Sequence, residues 1–223
     1  MTNIGKPYPI HADSLIFMKK FLLRFSVFIL SLSATAQWSE NNALYYAMDF
    51  NTGNYSGLDL SANYIYKEKY SFKLGYNINL RPAKSEPEDF KLGVQDLLTI
   101  GLLGPYDHME QFYMGAGRVI PLNPKGSIRA NLTLGIAITS IKEPTNWKKN
   151  PMFLDRNYTY EYHKYHTISL IINPKIEFPF TRIYGLSLSP SIHINKDRTY
   201  FGIGIGQLLG VLKKRDRPKD STE

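Results

Sequence analysis

The chain has 223 residues, 16 of them Tyr and 12 Phe, no Cys, a mean hydropathy of −0.28 and a formal charge of +8. Without cysteine there is no disulfide framework, thiolate metal site or cysteine-linked lipid anchor, and the hydropathy rules out a bundle of membrane helices, each needing ~20 apolar residues. Lys6, Lys19, Lys20 and Arg24 precede Gln37 against one acid, Asp13, which leaves 23 Lys+Arg to 18 Asp+Glu beyond it, or +5. Lys213, Lys214, Arg215, Arg217 and Lys219 crowd the other end. A basic tail with no zinc-finger, helix-turn-helix or RNA-recognition signature does not make nucleic acid an expected partner.

In chain order, Met1–Phe17 reads as an upstream mis-start or unstructured extension, because Met18 sits where a start belongs. Residues 18–36 read as an export signal: Lys19 and Lys20, then the apolar Phe21–Leu32 broken by Arg24, Ser26 and Ser31, then Ala34-Thr35-Ala36. The apolar stretch is too short to span a bilayer, and small residues at Ala34 and Ala36 suit signal peptidase. Cleavage is expected after Ala36, with the mature chain starting at Gln37.

Beyond Gln37 the apolar residues alternate with period two. Tyr70–Arg81 sets Tyr70, Phe72, Leu74, Tyr76, Ile78 and Leu80 against Ser71, Lys73, Gly75, Asn77, Asn79 and Arg81. Ile128–Thr139 and Leu186–Asn195 repeat the pattern, and weaker copies lie at Ala43–Phe50, Gly57–Tyr66, Phe112–Pro121, Tyr165–Phe180 and Thr199–Leu208. Eight segments, most long enough to cross a bilayer when tilted, predict an all-β, antiparallel up-and-down transmembrane β-barrel over residues 37–210, with 211–223 as a basic tail. Short turns at Lys67–Lys69, Leu122–Gly126 and Thr181–Gly185 alternate with long polar connections at 82–111 and 140–164, as periplasmic turns and outer loops do. Leu92–Pro105 is apolar within the longer connection. It reads as a cap over the barrel mouth, or as an extra strand that would raise the count to ten.

Alternation alone does not say which face meets lipid, since a secreted soluble barrel binding an apolar ligand would turn the apolar face inward. Three features favour lipid outside: aromatic residues near strand ends (Tyr46, Tyr64, Tyr66, Tyr70, Phe178, Phe180), small residues on the opposite face (Gly75, Gly135, Gly202, Gly204, Gly206), and charges of both signs there. Asp49, Asp59 and Glu177 are expected to face the lumen and pair with Lys73, Arg129 or Lys175, because buried charges must be paired.

With these features in place, the chain resembles the small outer membrane β-barrel proteins, the group of OmpA-, OmpX- and OmpW-like barrels. The likeness is carried by YIYKEKYSFKLGY (Tyr64–Tyr76), INPKIEFPFTRIYGLSLSP (Ile172–Pro190) and INKDRTYFGIGIG (Ile194–Gly206). It covers Gln37–Gly210 and rests on architecture and turn style. Such barrels usually end on an aromatic residue read by the barrel assembly machinery, whereas this chain ends LKKRDRPKDSTE; either Phe201 in the last strand is read in its place, or the tail sits outside the barrel. The resemblance implies the cell outer membrane, with its lipid and that machinery as partners.

A search for chemistry finds little. Same-face strand neighbours lie ~6.8 Å apart, so Ser191 and His193 cannot bond directly and His193 reads as a structural lumen histidine. His163 and His166 fall on opposite faces, and Glu86, Glu88 and Asp89 lack the spacing of a calcium loop. Gly202-x-Gly204-x-Gly206 lacks a nucleotide-binding pattern. No catalytic, cofactor-binding or metal residue is assigned. The tyrosines of Tyr158–Tyr165 read as an interfacial girdle or a stacking surface. The function expected is a barrel with no open pore, structural or binding a surface ligand or protein through loops 82–111 and 140–164. An outer membrane enzyme acting on lipid by acyl transfer or hydrolysis is the alternative.

Overall fold

A computed structural model describes residues 41–93, 104–124, 126–150 and 155–212. Eight strands follow in order: β1 (Ala43–Gly53), β2 (Ser56–Tyr66), β3 (Tyr70–Pro82), β4 (Tyr106–Pro121), β5 (Arg129–Lys149), β6 (Tyr158–Phe178), β7 (Tyr184–Ile194) and β8 (Thr199–Val211). Each pairs antiparallel with its neighbour, and β1 pairs with β8 from Leu44↔Val211 to Gly53↔Gly202, closing the barrel. Closure leaves no strand without a neighbour on each side, as a barrel surrounded by hydrocarbon requires.

The side chains sort as the alternation predicts. Tyr70, Phe72, Leu74, Tyr76 and Ile78 of β3 and Leu132, Leu134, Ile136 and Ile138 of β5 are exposed on the outside, while Ser71, Lys73, Asn77, Asn79, Asn131 and Thr133 are buried inside. That is the reverse of a soluble barrel, whose apolar face would be enclosed. Small apolar clusters close both ends of the polar interior. One holds Tyr45, Ile65, Val119 and Leu208 at the short-turn end; the other holds Tyr55, Met109, Ile141 and Tyr200.

Strand lengths depart from the sequence reading. β4 starts at Tyr106 instead of Phe112, β5 runs to Lys149 instead of Thr139, and β6 starts at Tyr158 instead of Tyr165. The long connections therefore shrink to 83–105 and 150–157, and most of 140–164 is a β-hairpin. Above the pair Ile138↔Ile168 the outward residues become polar, with Ser140↔His166 and Lys142↔Lys164 next in register. The ladder continues there, but no apolar face marks it. The cap or extra strand expected within 92–105 falls mostly at 94–103, outside the described residues, as do the extension and export signal at 1–36 with Ala34, Ala36 and Gln37. β8 reaches Val211, and Leu212 beyond it is buried, so the barrel takes two residues from the expected tail; 213–223 lie outside the described residues.

Two local features interrupt the regular ladder. By register Pro174 of β6 lies opposite Pro190 of β7, and the pairing is interrupted between Ile172↔Ile192 and Ile176↔Leu188. Neither proline has an N–H to give the ladder. Asn173 Nδ2 bridges the gap, donating to Ser189 Oγ and to the Pro190 carbonyl, both at 2.9 Å. At the β2–β3 turn, Lys67 and Glu68 both take positive φ, 52° and 55°, the left-handed backbone region whose turn matches the right-handed twist of the paired strands. Lys69 N–H donates to the Tyr66 carbonyl at 3.1 Å to close it.

Candidate functional site

Among the described residues four ion pairs are buried in the interior, Arg81–Asp107 nearer one end and three that use Asp49, Asp59 and Glu177. Arg129 and Glu177 are direct cross-strand neighbours, and Arg129 Nε donates to Glu177 Oε2 at 2.6 Å. The other Glu177 oxygen accepts from Tyr45 OH at 2.6 Å and Asn131 Nδ2 at 3.0 Å. Asp49 and Asp59 face each other across β1 and β2, an arrangement that needs two cations. Lys175 Nζ donates to Asp49 Oδ2 at 2.7 Å, with Ser187 Oγ at 2.8 Å on the other oxygen. Lys73 Nζ lies 3.5 Å from Asp59 Oδ1 and donates to Asn173 Oδ1 at 3.0 Å. Asp59 also accepts from Tyr113 OH at 2.8 and 2.7 Å. The six charges read from the sequence thus form three pairs, each acid also held by a hydroxyl or an amide, and Arg129 Nη1 donates to the Leu212 carbonyl at 2.8 Å while its Nη2 has no partner among the described residues.

Space for this network comes from glycine. A Cβ at Gly206 would overlap the Asp49 carboxylate, and one at Gly75 would overlap the Tyr113 ring. A void of about 10 Å³ remains among Asp59, Lys73, Tyr113, Asn173 and His193, on the scale of a single water.

Nearer the other end, His193 Nδ1 contacts Gln111 Oε1 at 2.5 Å, and Gln111 Nε2 donates to Thr139 Oγ1 and Ser169 Oγ. The His193 ring packs on Tyr200 with centroids 4.6 Å apart. Its partners are an amide and a phenol ring, so among the described residues it belongs to no Ser–His–carboxylate array of the kind acyl transfer needs. Arg81 donates to Asp107 at 2.8 Å while lying 4.3 Å from the Tyr55 ring. At the rim Arg198 pairs with Glu143, and Lys142 with Glu110 at 2.6 Å. No cluster of three His, Asp or Glu suited to a metal occurs among the described residues.

The second region is the β5–β6 hairpin. Trp147 lies 5.0 Å from Tyr160 and 6.3 Å from Tyr158, Tyr160 lies 5.5 Å from Tyr162, and Tyr162 lies 5.5 Å from His108. The 83–93 connection folds onto this ladder. Phe90 meets the Trp147 edge at 5.6 Å, Trp147 Nε1 donates to Ser85 Oγ, and Asn157 Nδ2 donates to the Asp89 carbonyl at 2.7 Å. Hydrogen bonds from the Tyr158 hydroxyl and the Lys149 ammonium hold the Asp89 carboxyl below the usual carboxylate range. Tyr162 stays 44% exposed, so the ladder presents an open ring above the apolar band.

Sequence reading missed the neutral partners Tyr45, Tyr113, Asn131, Asn173 and Ser187. Their signal was parity, because each shares the inward face with a charged residue on its own strand or a neighbour. Long-range rim pairs such as Arg198–Glu143 carry no such signal.

No family model matches the chain, and no curated protein sequence matches it. Solved structures do. Ail, the attachment invasion locus protein of Yersinia pestis, aligns over 76% of this chain and 95% of its own, at 12% identity and TM-score 0.43. The N-terminal β-barrel domain of Pseudomonas aeruginosa OprF aligns over 76% and 97%, at 8% and 0.45. Neisserial surface protein A aligns over 75% and 94%, at 9% and 0.43. The chain resembles small eight-stranded outer membrane barrels. That likeness is one of fold.

Proposed function

We propose that this chain is an outer membrane barrel, closed to bulk solute, that holds its β5–β6 hairpin away from the membrane as a binding surface for sugar-bearing ligands. One observation carries the reading. The β5–β6 ladder continues from the last outward apolar pair, Ile138↔Ile168, to Lys149↔Tyr158, roughly 35 Å of strand at 3.3 Å per residue. Along that length the outward face carries no large aliphatic residue, and a ladder of Trp147, Tyr160 and Tyr162 offers ring faces on which sugar rings stack. Lys148 and Lys164 flank it as exposed cations. The paired charges and the void of about 10 Å³ among them support the closed state.

The test is binding of saccharides to the full chain folded in lipid nanodiscs. Ail of Yersinia pestis has a structure in complex with the heparin analogue sucrose octasulfate, which supplies an anionic probe to set beside neutral oligosaccharides. The reading expects saturable binding that Trp147→Ala with Tyr160→Ala abolishes while the barrel stays folded. Absence of binding across both sugar classes, or porin-sized conductance steps in planar bilayers, overturns it.

A further inference from the structure

On the outward face of β2–β5 the barrel wall is indented. Ala62 and Ala116 sit in register rows otherwise filled by large residues, Ala62 beside Leu74 and Ala116 between Phe72 and Leu134. The result is an apolar groove of about 680 Å³, within the range of pockets that hold small organic ligands. Tyr64 and Phe72 stack as one wall, centroids 6.3 Å apart and planes at 23°; Leu134 and Ile136 form the other.

The foot of this groove is cationic. Arg118 follows Ala116 on the same outward face, beside Tyr70 and Leu132 in register. It is exposed and has no ion-pair or hydrogen-bond partner among the described residues. Val119 N–H donates to the Lys69 carbonyl at 2.8 Å, which ties the β2–β3 turn to this spot. Lys69 and Lys67 lie there over the Tyr70 and Tyr66 rings at 5.5 and 5.1 Å. Glu68 is the one acid in the turn, leaving the foot net positive. An unpaired arginine on the lipid-facing wall is unfavourable unless its head reaches the interface, and there its partner of opposite charge is a phosphate.

We infer that the groove and its cationic foot bind one anionic phospholipid from the leaflet at the short-turn end. An acyl chain lies over Ala62 and Ala116, and the headgroup phosphate meets Arg118, Lys69 and Lys67. The inference rests on the membrane reading above but not on its hairpin ligand. The occupant is a lipid and not a second copy of the barrel, because the apolar groove ends in like charges that a symmetric contact would set against each other.

The experiment titrates the full chain, folded in detergent micelles, with phosphatidylglycerol, phosphatidylcholine or inorganic phosphate and counts bound molecules by native mass spectrometry. One phosphatidylglycerol is retained, on the order of tenfold more tightly than phosphatidylcholine, since each cation near an anionic lipid contributes appreciably. Free phosphate does not bind without the chain. Ala116→Phe fills the groove and removes retention of both lipids. Arg118→Gln lowers the preference for the anionic lipid about fivefold and leaves phosphatidylcholine unchanged. Both positions face outward, and circular dichroism with bilayer insertion confirms that each variant is folded. Equal retention of the two lipids by the parent chain, full retention by folded Ala116→Phe, or a protein dimer in place of bound lipid overturns the inference. Insertion of the parent chain into bilayers in the same preparations keeps such a failure distinct from a failure of the membrane reading.

Discussion

Asp49 shows at the scale of one residue what the interior demands. Its carboxylate sits opposite Asp59 on the neighbouring strand, and Lys175 and Ser187 are the groups that hold it directly. Lys175→Met leaves Asp49 buried with one hydroxyl donor, so unfolding in detergent should show a loss of about 3–5 kcal/mol. Adding Asp49→Leu removes the orphaned charge, and the double variant should recover most of the loss. A single variant as stable as the parent would mean that the pair is not enclosed. The loop acid Asp89 makes a different prediction. Its folded pKa is depressed, so the contact it makes to Tyr158 and Lys149 stabilises the docked loop above the unfolded carboxyl pKa of about 4. That contribution is lost as pH falls through the lower, folded value. In a Trp38→Phe background, Trp147 emission should therefore shift as the solution is acidified past pH 4, and Asp89→Asn should abolish the step. An unchanged step in Asp89→Asn would assign it to another group.

At the scale of the element, the β2–β3 turn and the β5–β6 hairpin mark what sequence made legible. The turn was placed from Lys67-Glu68-Lys69 as a short polar connection, but nothing in those residue types announces positive φ at two of them. Lys and Glu accept that backbone at a cost of ~1–2 kcal/mol each relative to residues suited to it. Replacement by the Asn-Gly pair that favours this turn should raise stability by about 1 kcal/mol in a urea titration, and a decrease would show that the lysine–ring contacts outweigh the backbone. The strands within the apolar band were legible because hydrocarbon on one side and a crowded lumen on the other enforce period two. Outside the band neither face of β5 and β6 meets hydrocarbon, so polar residues stand on both, and Lys142–Lys149 and Tyr158–Lys164 read as loop although the ladder runs through them. The lumen charges were legible for the same reason of parity. Which cation meets which acid was not, because Lys175 and Asp49 meet across the lumen from strands distant in sequence.

For the whole molecule the decisive matter is what covers the outer wall. Leu134 lies mid-strand on that wall, 59% exposed, and Thr133 beside it is buried in the lumen. Leu134→Arg should cost about 2–4 kcal/mol against hydrocarbon and only about 0–1 were it near an interface. Since a core leucine would also resent arginine, accessibility discriminates better than stability. The most direct measurement places a spin label on a single cysteine at Leu134 in bilayer-reconstituted protein and compares collisions with lipid-dissolved oxygen and with a water-soluble nickel complex. Frequent oxygen collisions and rare nickel collisions are the predicted result. A label at Leu134 that meets the nickel complex freely, or is shielded from both, would contradict a barrel whose apolar face is covered by lipid.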